Sequence, residues 1–357
     1  EFMAIKEHFG NQALQKWDDK KAVARDPSAL EKYRILLAEQ IQYFKVTQYF
    51  FFKQWTELKN YANQKGIQII GDMPIYVAAD SVEVWTKPEL FQLDKERNPL
   101  FVAGVPADQF SATGQLWGNP LYAWEEHKKQ GYAWWIHRIE ESFKIYDVLR
   151  IDHFKGFSDY WQVDGKAEVA KDGSWQPGPG YDLFKAVKEQ LGDLPIIAED
   201  LGNIDDKARK LLTDCNYPGM KILQFGFEDV SGESLDSPHY CIPHSIVYTG
   251  THDNDVTNGW YNSLTEQQQQ YINDYTHRHE DESICQAMIR QLFATVSNTA
   301  IATMQDVLDL PASSRMNVPS TIGGNWQWRM QQSDLTQDKK DFLEKMTTLY
   351  QRANQGK

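Results

Sequence analysis

The sequence predicts an α/β fold, and within that class a (β/α)8 TIM-type barrel, on three observations. Short β-branched runs alternate with helix-like stretches along the 357 residues, a pattern typical of a parallel sheet. Polar residues follow the ends of these runs, as they do at the carboxyl-terminal face of a barrel. No glycine-rich dinucleotide turn follows any run, although a doubly wound sheet stays open as an alternative.

The predicted elements follow from the spacing of apolar residues. Six runs are predicted as strands, at residues 67–70, 146–151, 194–198, 221–225, 245–249 and 299–304. Helices are predicted at residues 30–65 (one or two helices, closed by Gly66), 134–144, 182–191, 206–213, 266–296 (with a polar interruption near His279) and 335–352.

The strand count bears on domain organisation. A barrel of this type has eight strands, so we expect its first strands to be absent from this chain. We predict one catalytic barrel domain over residues 1–357, incomplete at its N-terminus, with inserted loop or helical subdomains at about 78–145 and 255–298.

Composition excludes several classes of partner. The formal net charge of −13 disfavours nucleic acid and anionic membranes, because both require clustered basic residues. The three cysteines are too few and too irregularly spaced for a disulfide framework or a zinc site. No stretch reaches the ~20 apolar residues of a membrane span, and the start of the chain lacks a signal-peptide pattern. We therefore expect a cytoplasmic protein, and the sequence does not predict an oligomeric state.

Aromatic residues are unusually frequent. They make up 13% of the chain, and seven of the 12 tryptophans lie between residues 85 and 175. Most such side chains belong to a hydrophobic core, but flat rings also stack on neutral sugars.

Acidic residues follow three of the predicted strands: Asp152, Glu199 and Asp253. Cleavage of a glycosidic bond needs one carboxylate as nucleophile and one carboxylic acid to protonate the leaving oxygen, often with a third group that grips the sugar. Any one of these acids taken alone is better explained as a helix N-cap. The three together, with clustered tryptophans and no phosphate loop, favour a sugar-active enzyme.

The neighbouring residues assign roles to these acids. Arg150 precedes Asp152 by two positions, so both point to the same side of an extended strand, and its charge favours the ionised form that a nucleophile needs. An internal salt bridge explains Arg150 equally well. The apolar strand before Glu199 favours the protonated form that a general acid needs, and His252 offers a neutral donor to sugar hydroxyls beside Asp253.

Six segments carry a family resemblance. Residues 71–77 (GDMPIYV), 150–157 (RIDHFKGF), 198–202 (AEDLG) and 249–254 (TGTHDN) resemble, in the same order, the four signature regions of the 4-α-glucanotransferases, and the resemblance includes residues 315–317 (RMN) and 324–329 (GNWQWR). These are the amylomaltases or disproportionating enzymes of glycoside hydrolase family 77, in the α-amylase clan. The resemblance extends from about residue 2 to the C-terminus.

The resemblance implies a retaining double displacement on maltodextrin (α-1,4-glucan), with glucose or maltodextrin as acceptor. By motif position, Asp152 would be the nucleophile, Glu199 the acid/base and Asp253 the group that binds and distorts the sugar. Arg150 and His252 would support them, and Asp72 would be a structural or sugar-contacting residue; Asn254 and Asn317 are further substrate-binding candidates. No organic cofactor or catalytic metal is implied.

Residues 104–120 resemble the family's loop over the acceptor site. Phe110 and Trp117 would stack on sugars, and Asp108 and Gln115 would bind hydroxyls. Some family members carry an aromatic residue where Gln109 stands and an acid where Ala112 stands, which affects the expected acceptor preference rather than the reaction. Glycine, proline and serine predict a loop here in any case, and simple packing on the barrel rim is the alternative.

Three rival functions stay open. An α-amylase-type hydrolase would use the same three acids. A binuclear metal hydrolase would need ligands such as His277 and His279, whose spacing fits two ligands on one strand, although they lie in a polar run. The third alternative is a non-catalytic sugar-binding module, which the expected absence of the first strands leaves open.

Overall fold

The protein is described by a computed structural model that covers residues 1–107, 113–202 and 204–353. Backbone contacts divide the chain into two compact units, Glu1–Tyr217 and Pro218–Lys357. The prediction of one catalytic domain with two inserted subdomains stays a prediction.

The first unit alternates helices and strands. Its helices are α1 (Phe2–His8), α2 (Lys20–Val23), α3 (Pro27–Leu36), α4 (Ala38–Gln64), α5 (Val82–Thr86), α6 (Trp124–Lys129), α7 (Ala133–Ile145), α8 (Tyr181–Leu191) and α9 (Asp206–Cys215), with short 3-10 helices at Leu14–Lys16, Pro88–Leu90 and Phe154–Phe157. Its strands are β1 (Ile70–Met73), β2 (Phe101–Val105), β3 (Gln115–Pro120), β4 (Val148–Ile151), β5 (Asp159–Asp164), β6 (Ser174–Pro177) and β7 (Ile196–Ala198).

A parallel sheet of order β1-β4-β7 organises this unit. Asp72 of β1 stands opposite Arg150 of β4, which in turn stands opposite Ile197 of β7. β4 and β7 are strands that the sequence predicts, and they run through the buried core as their apolar sequences require. The predicted strand at 67–70 is wrong in its bounds, because β1 begins only at Ile70 and includes Gly71 and Asp72, which lie beyond the predicted run. Since the strands are parallel, the residues that follow them meet at one edge of the sheet.

The predicted helical segment at 30–65 is confirmed as two helices. Asp26 caps α3 by accepting from two backbone amides, and Pro27 occupies its first turn. Gly66, with a φ of +74°, lies just beyond the end of α4, as the sequence predicts. Within α4, Ile41 is buried, whereas a series of aromatic side chains is exposed: Tyr43, Tyr49, Phe50, Phe51, Phe52 and Tyr61.

A second, antiparallel sheet of order β3-β2-β5-β6 was not predicted from the sequence. Three of its strands, β3, β5 and β6, mix polar with aromatic residues and lack the continuous apolar runs of the parallel strands. The fourth, β2, is an apolar run that the sequence analysis did not select. Residues 115–120 are therefore strand, and the prediction of a loop throughout 104–120 is wrong there. The aromatic cluster divides between core and surface: Trp85 and Trp135 are buried, whereas Trp117 and Trp175 are exposed.

The second unit contains β8 (Gly219–Ile222), α10 (Leu223–Gly226), β9 (Ser245–Tyr248), α11 (Thr257–Ser263), α12 (Glu266–Thr276), α13 (Ile284–Ala294), β10 (Thr299–Ile301), α14 (Met304–Val307) and α15 (Gln337–Leu349), with 3-10 helices at Pro238–Tyr240, Ala312–Ser314 and Gln332–Asp334. The strands form a parallel sheet of order β10-β9-β8. The predicted strands at 221–225 and 299–304 are shorter than expected, because helices begin at Leu223 and Met304.

Helix caps explain the predicted break in the segment 266–296. Thr265 and Ser283 each form a capping box, with Gln268 and Gln286 respectively, at the starts of α12 and α13. His277 lies in the left-handed conformation at the end of α12. The chain therefore leaves the first helix and enters the second through local hydrogen bonds that the sequence encodes.

The described strands establish an α/β fold with two parallel sheets of three strands each. Closure into an eight-stranded barrel, and the absence of its first strands from this chain, stay predictions. No helix within the described ranges is both long and apolar enough to cross a membrane.

Candidate active site

Four charged side chains meet at the carboxyl-terminal edge of the β1-β4-β7 sheet. Asp72 and Arg150 are paired in register across β1 and β4. Asp152 and Glu199 come directly after β4 and β7, where their amides still donate to carbonyls of the neighbouring strands, those of Met73 and Ile151 respectively, both at 3.0 Å. The sheet thus places Asp72, Arg150, Asp152 and Glu199 at one edge.

The Arg150 guanidinium links two of these acids. Its Nη1 lies 2.6 Å from Oδ1 of Asp72 and 3.1 Å from Oδ1 of Asp152. The arginine side chain is 10% exposed, whereas the two aspartates are 41% and 42% exposed. Burial alone would lower the pKa of Arg150, but Asp72, Asp152 and Glu199 outweigh it and raise that pKa. The permanent positive charge of Arg150 therefore contacts the carboxylates of Asp72 and Asp152, both of which are partly exposed to solvent.

Glu199 differs from Asp152 in its surroundings. Burial, followed by the charge of Asp152, raises the pKa of Glu199 to about 7. Arg150 and two backbone amides act in the opposite direction: the amide of His153 donates to Oε2 at 2.8 Å and that of Leu201 to Oε1 at 2.9 Å. The carboxyl group is consequently held in a fixed orientation and carries a proton over part of the neutral pH range.

His153, which the sequence analysis did not select, adjoins this pair. It lies in the left-handed conformation, with a φ of 50°, between Asp152 and the 3-10 helix Phe154–Phe157. Burial, assisted by the nearby Lys155 charge, lowers the pKa of His153 to about 4, so its ring is neutral at physiological pH. Its position directly after Asp152 in the sequence was the available signal.

Trp117 borders the site from β3. Its ring meets that of His153 edge to face, with the centroids 4.8 Å apart. Its Nε1 donates to Oε1 of Gln115 at 3.2 Å, and the side chain is 37% exposed. The structure thus brings Trp117 and Gln115 to the edge that holds the acids. Asp108 and Phe110, with Gln109 and Ala112, lie outside the described residues.

Asp253 belongs to the second unit, where it follows β9. Its Oδ1 accepts from Nδ2 of Asn317 at 2.6 Å, and its backbone carbonyl accepts from Arg315 at 2.7 Å. Nε2 of His252 lies 3.4 Å from Oδ2 of the same carboxylate. Asn254 folds the turn, since its Oδ1 accepts from the backbone amide of Thr251 at 2.8 Å. Asn317 and His252 therefore contact Asp253, whereas Asn254 shapes its loop.

Trp326 is a second residue that sequence reasoning did not select individually, although it lies in the motif 324–329. Its ring centroid is 5.1 Å from that of His252, and the side chain is 62% exposed. Its backbone has a φ of 61°, and its amide donates to the carbonyl of Met316 at 2.8 Å. A left-handed conformation at a bulky residue is a feature that concentrates at functional sites.

The alternative of a metal site depends on the side chains of the described ranges that could act as metal ligands. His277 terminates α12, so the argument that His277 and His279 share one strand is wrong. The group with metal-ligand geometry within those ranges is His137 with Glu140 and Glu141, on the exposed surface of α7. It lies on a helix rather than at a strand end, and the pairing distances are 3.8 Å.

Comparison with known proteins identifies the family. The family profile of 4-alpha-glucanotransferases matches residues 1–336. A 4-alpha-glucanotransferase of Streptococcus pneumoniae serotype 4 is 53% identical over 357 residues, which is 100% of this chain and 70% of that protein. A 4-alpha-glucanotransferase of Clostridium butyricum is 42% identical over 355 residues, covering 98% of this chain and 72% of that protein.

A solved structure agrees with the sequence comparisons. The amylomaltase from Streptococcus agalactiae, solved in complex with acarbose, superposes with a TM-score of 0.97 at 60% identity, covering 99% of this chain and 71% of that one. The resemblance drawn from the motifs is thereby confirmed. The family profile covers most of the chain, and relatives with the same family name are about half identical to it. The chain, whose carboxylates lie at the strand ends, therefore belongs to the 4-alpha-glucanotransferase family, glycoside hydrolase family 77.

Proposed function

We propose that this protein is a retaining 4-α-glucanotransferase, which moves α-1,4-glucan segments from a donor maltodextrin to glucose or another maltodextrin. The observation that carries the proposal is the contrast between two neighbouring acids. Asp152 contacts the Arg150 guanidinium, whereas the pKa of Glu199 is raised to about 7. One carboxylate and one carboxylic acid are the two groups that glycosidic cleavage requires.

In the first step, a carboxylate oxygen of Asp152 attacks the anomeric carbon of the donor while the glycosidic bond breaks. Glu199 gives its proton to the departing glycosidic oxygen, so the released sugar leaves as a neutral alcohol. Asp152 becomes an ester to the donor segment, and Glu199 becomes a carboxylate beside the positive charge of Arg150.

In the second step, the acceptor sugar replaces the released one. Its 4-hydroxyl gives a proton to the Glu199 carboxylate as its oxygen attacks the anomeric carbon, and Asp152 departs as a carboxylate. Water in place of the acceptor would give hydrolysis by the same route. The preference for a sugar over water as the attacking group therefore depends on the residues that bind the acceptor rather than on the two acids.

The other predicted residues bind and orient the glucan. Asp253, held by Asn317 and flanked by His252, grips hydroxyls of the distorted sugar. Trp117 and Gln115 bind the acceptor, as do Asp108 and Phe110. Asp72 anchors Arg150, and Asn254 shapes the Asp253 loop. No cofactor or metal ion is needed in either step.

Two finer predictions belong to the same proposal. The fold is a (β/α)8 barrel, which is supported by parallel strands whose carboxyl-terminal ends carry the polar residues. The location is cytoplasmic, which is supported by cysteines too few and too irregular for a disulfide framework.

Incubation with maltotriose tests the activity. A transferase yields glucose together with maltodextrins longer than maltotriose, whereas an α-amylase-type hydrolase yields only shorter products. Asp152→Asn is the matched control, because it keeps the size of the side chain and removes the nucleophile. Glucose and maltose without longer chains would contradict the proposal, as would full transfer by Asp152→Asn.

A further inference from the structure

Trp175 on β6 is an exposed aromatic residue that the proposed mechanism does not use. Its side chain is 42% exposed. In the antiparallel sheet it stands directly opposite Trp161 of β5, and the two rings meet edge to face with centroids 5.2 Å apart. Trp161 is itself fixed, since its Nε1 donates to the carbonyl of Ala170 at 2.7 Å.

A largely enclosed lysine contacts the Trp175 ring from another side. The Nζ of Lys155 lies 4.4 Å from the ring centroid, within cation–π range. The same nitrogen forms ion pairs with Asp159 at 2.5 Å and Asp205 at 2.7 Å, and the lysine side chain is 11% exposed. Because Lys155 is bound to two carboxylates, it cannot move away from the ring without breaking both pairs.

These contacts place Trp175 at the same edge of the parallel sheet as the acids. Lys155 is three residues after Asp152, so their Cα atoms are at most about 11 Å apart. Asp205 caps α9 and lies in the segment that follows Glu199 and β7. Lys155 therefore links the loop after β4, which carries Asp152, to the loop after β7, which carries Glu199. The Trp175 ring packs against the lysine that makes this link.

We propose that Trp175 is an outer glucan-binding subsite, where its exposed surface stacks on a glucose unit of the bound chain remote from the bond being cleaved. This inference rests on the proposed function. Glucose in α-1,4-glucans presents apolar C–H faces, and an aromatic ring stacks on such faces without needing charge. The ring is already fixed by Trp161 and Lys155, so little conformational entropy is lost when a sugar binds.

The proposal predicts that the effect of Trp175 depends on the length of the glucan. A short donor that fills only the positions around the acids does not reach an outer subsite, whereas a longer chain does. In the full chain, Trp175→Ala should lower kcat/KM for maltoheptaose about three- to tenfold, mainly through KM. The value for maltotriose should change less than about twofold.

Two further substitutions at this position separate stacking from apolar bulk. Trp175→Phe keeps a flat ring and should restore most of the maltoheptaose value. Trp175→Leu keeps apolar volume without a flat face and should behave like Trp175→Ala. Equal loss on both substrates, or no difference between the Phe and Leu variants, would overturn the proposal.

Tyr61 on α4 supplies a matched control. It is an exposed aromatic ring, 61% exposed, beside a lysine whose Nζ lies 5.8 Å from its centroid. It is near the end of α4, which leads into the start of β1 and therefore lies toward the opposite edge of the sheet. Tyr61→Ala should leave both substrates unaffected, and a length-dependent loss in this variant would contradict a specific role for Trp175.

Calorimetric binding of maltoheptaose to Asp152→Asn separates this inference from the proposed function. Adding Trp175→Ala should weaken binding of maltoheptaose about three- to tenfold and leave binding of maltotriose unchanged. Unchanged maltoheptaose binding would overturn the subsite even if the protein is an active transferase. Weakened binding would support the subsite whether or not the unmodified protein is active, whereas an unmodified protein that transfers no glucan would contradict the proposed function.

Discussion

At the scale of single residues, two carboxyl groups that follow adjacent strands of one sheet have different surroundings, and the surroundings of Glu199 raise its pKa. Asp152 contacts a buried guanidinium and is largely open to solvent. Glu199 is more enclosed and feels the negative charge of Asp152. Without this burial and the nearby negative charge, Glu199 would lose its proton near its ordinary pKa and could not act as an acid near neutral pH.

The raised pKa of Glu199 predicts the alkaline limit of activity. Transfer requires the protonated acid, so kcat/KM for maltotriose should fall as pH rises through about 7. Glu199→Gln should lower activity about 10²- to 10⁴-fold, and its residual activity should lack this limb. A flat profile for the unmodified protein up to pH ~9 would contradict the assignment of Glu199 as the acid.

The same group links stability to pH. The pKa of Glu199 is raised from 4.5 to about 7, so the folded state keeps its proton to higher pH than the unfolded chain does. Its favourable contribution to the free energy of unfolding is complete below pH 4.5 and is lost as pH rises toward 7. Glu199→Gln has no such proton to lose. In urea denaturation, its free energy of unfolding relative to that of the unmodified protein should therefore increase as pH rises between these two values. An unchanged difference across the range would contradict the shift.

Arg150 is predicted to set both activity and its pH limit. Arg150→Met leaves Asp72, Asp152 and Glu199 without their shared positive charge, so activity should fall about 10²- to 10³-fold. Because Arg150 lowers the pKa of Glu199, the alkaline limb of the residual activity should move to higher pH. Arg209→Met, which breaks an exposed ion pair on α9, is the control and should change little.

At the scale of elements, the site depends on close contact between β1 and the chain that leads into β4. Gly71 precedes Asp72, and a Cβ atom added there would lie 2.0 Å from Cδ2 of Tyr146. No side chain fits this position unless the tyrosine ring or the strand moves. The register that sets Asp72 against Arg150 therefore requires a glycine one residue earlier.

Gly71→Ala should consequently destabilise the protein by about 1–3 kcal/mol, as measured by urea denaturation. The clash is with one ring, so the cost of Gly71→Ala should be smaller in a Tyr146→Ala background, with a coupling of about 1 kcal/mol or more. Additive effects of the two substitutions would show that the strand, rather than the ring, limits the space.

At the scale of the whole molecule, the acidic balance suits a neutral substrate. The chain has a formal net charge of −13, and the positive charge of the site is enclosed by carboxylates at Arg150. Long-range steering of a glucan by this field is negligible, because the glucan carries no charge.

The rate of transfer should therefore be nearly independent of ionic strength. We expect kcat/KM for maltotriose to change less than about twofold between ~0.02 and ~0.5 M sodium chloride, since screening acts on exposed charges and only weakly on buried pairs. Circular dichroism at both salt concentrations verifies that the fold is unchanged. A tenfold fall would indicate that exposed charges take part in binding.

The sequence by itself determined the parallel strands and the acids that follow them. Short apolar runs such as 194–198, set between helix-like stretches, are typical of buried parallel strands, and the polar residue after such a run falls at the sheet edge. The motifs around Asp152, Glu199 and Asp253 also sufficed to identify the family. The antiparallel sheet was missed because three of its strands, such as 174–177, mix polar with aromatic residues, and because the sequence analysis did not select the apolar run at 101–105.

Only the tertiary structure decided the surroundings of these residues, and with them the pKa of Glu199 and the contacts of Trp175. The pKa of Glu199 depends on Asp152 and Arg150, which lie far from it in sequence, and on burial that periodicity does not measure. The pairing of Lys155 with Trp175 likewise joins the 3-10 helix Phe154–Phe157 to β6 of the antiparallel sheet. Local spacing fixes which side of a strand a residue faces, whereas charge and stacking act through space over a few ångströms, so they are set only when the chain has folded.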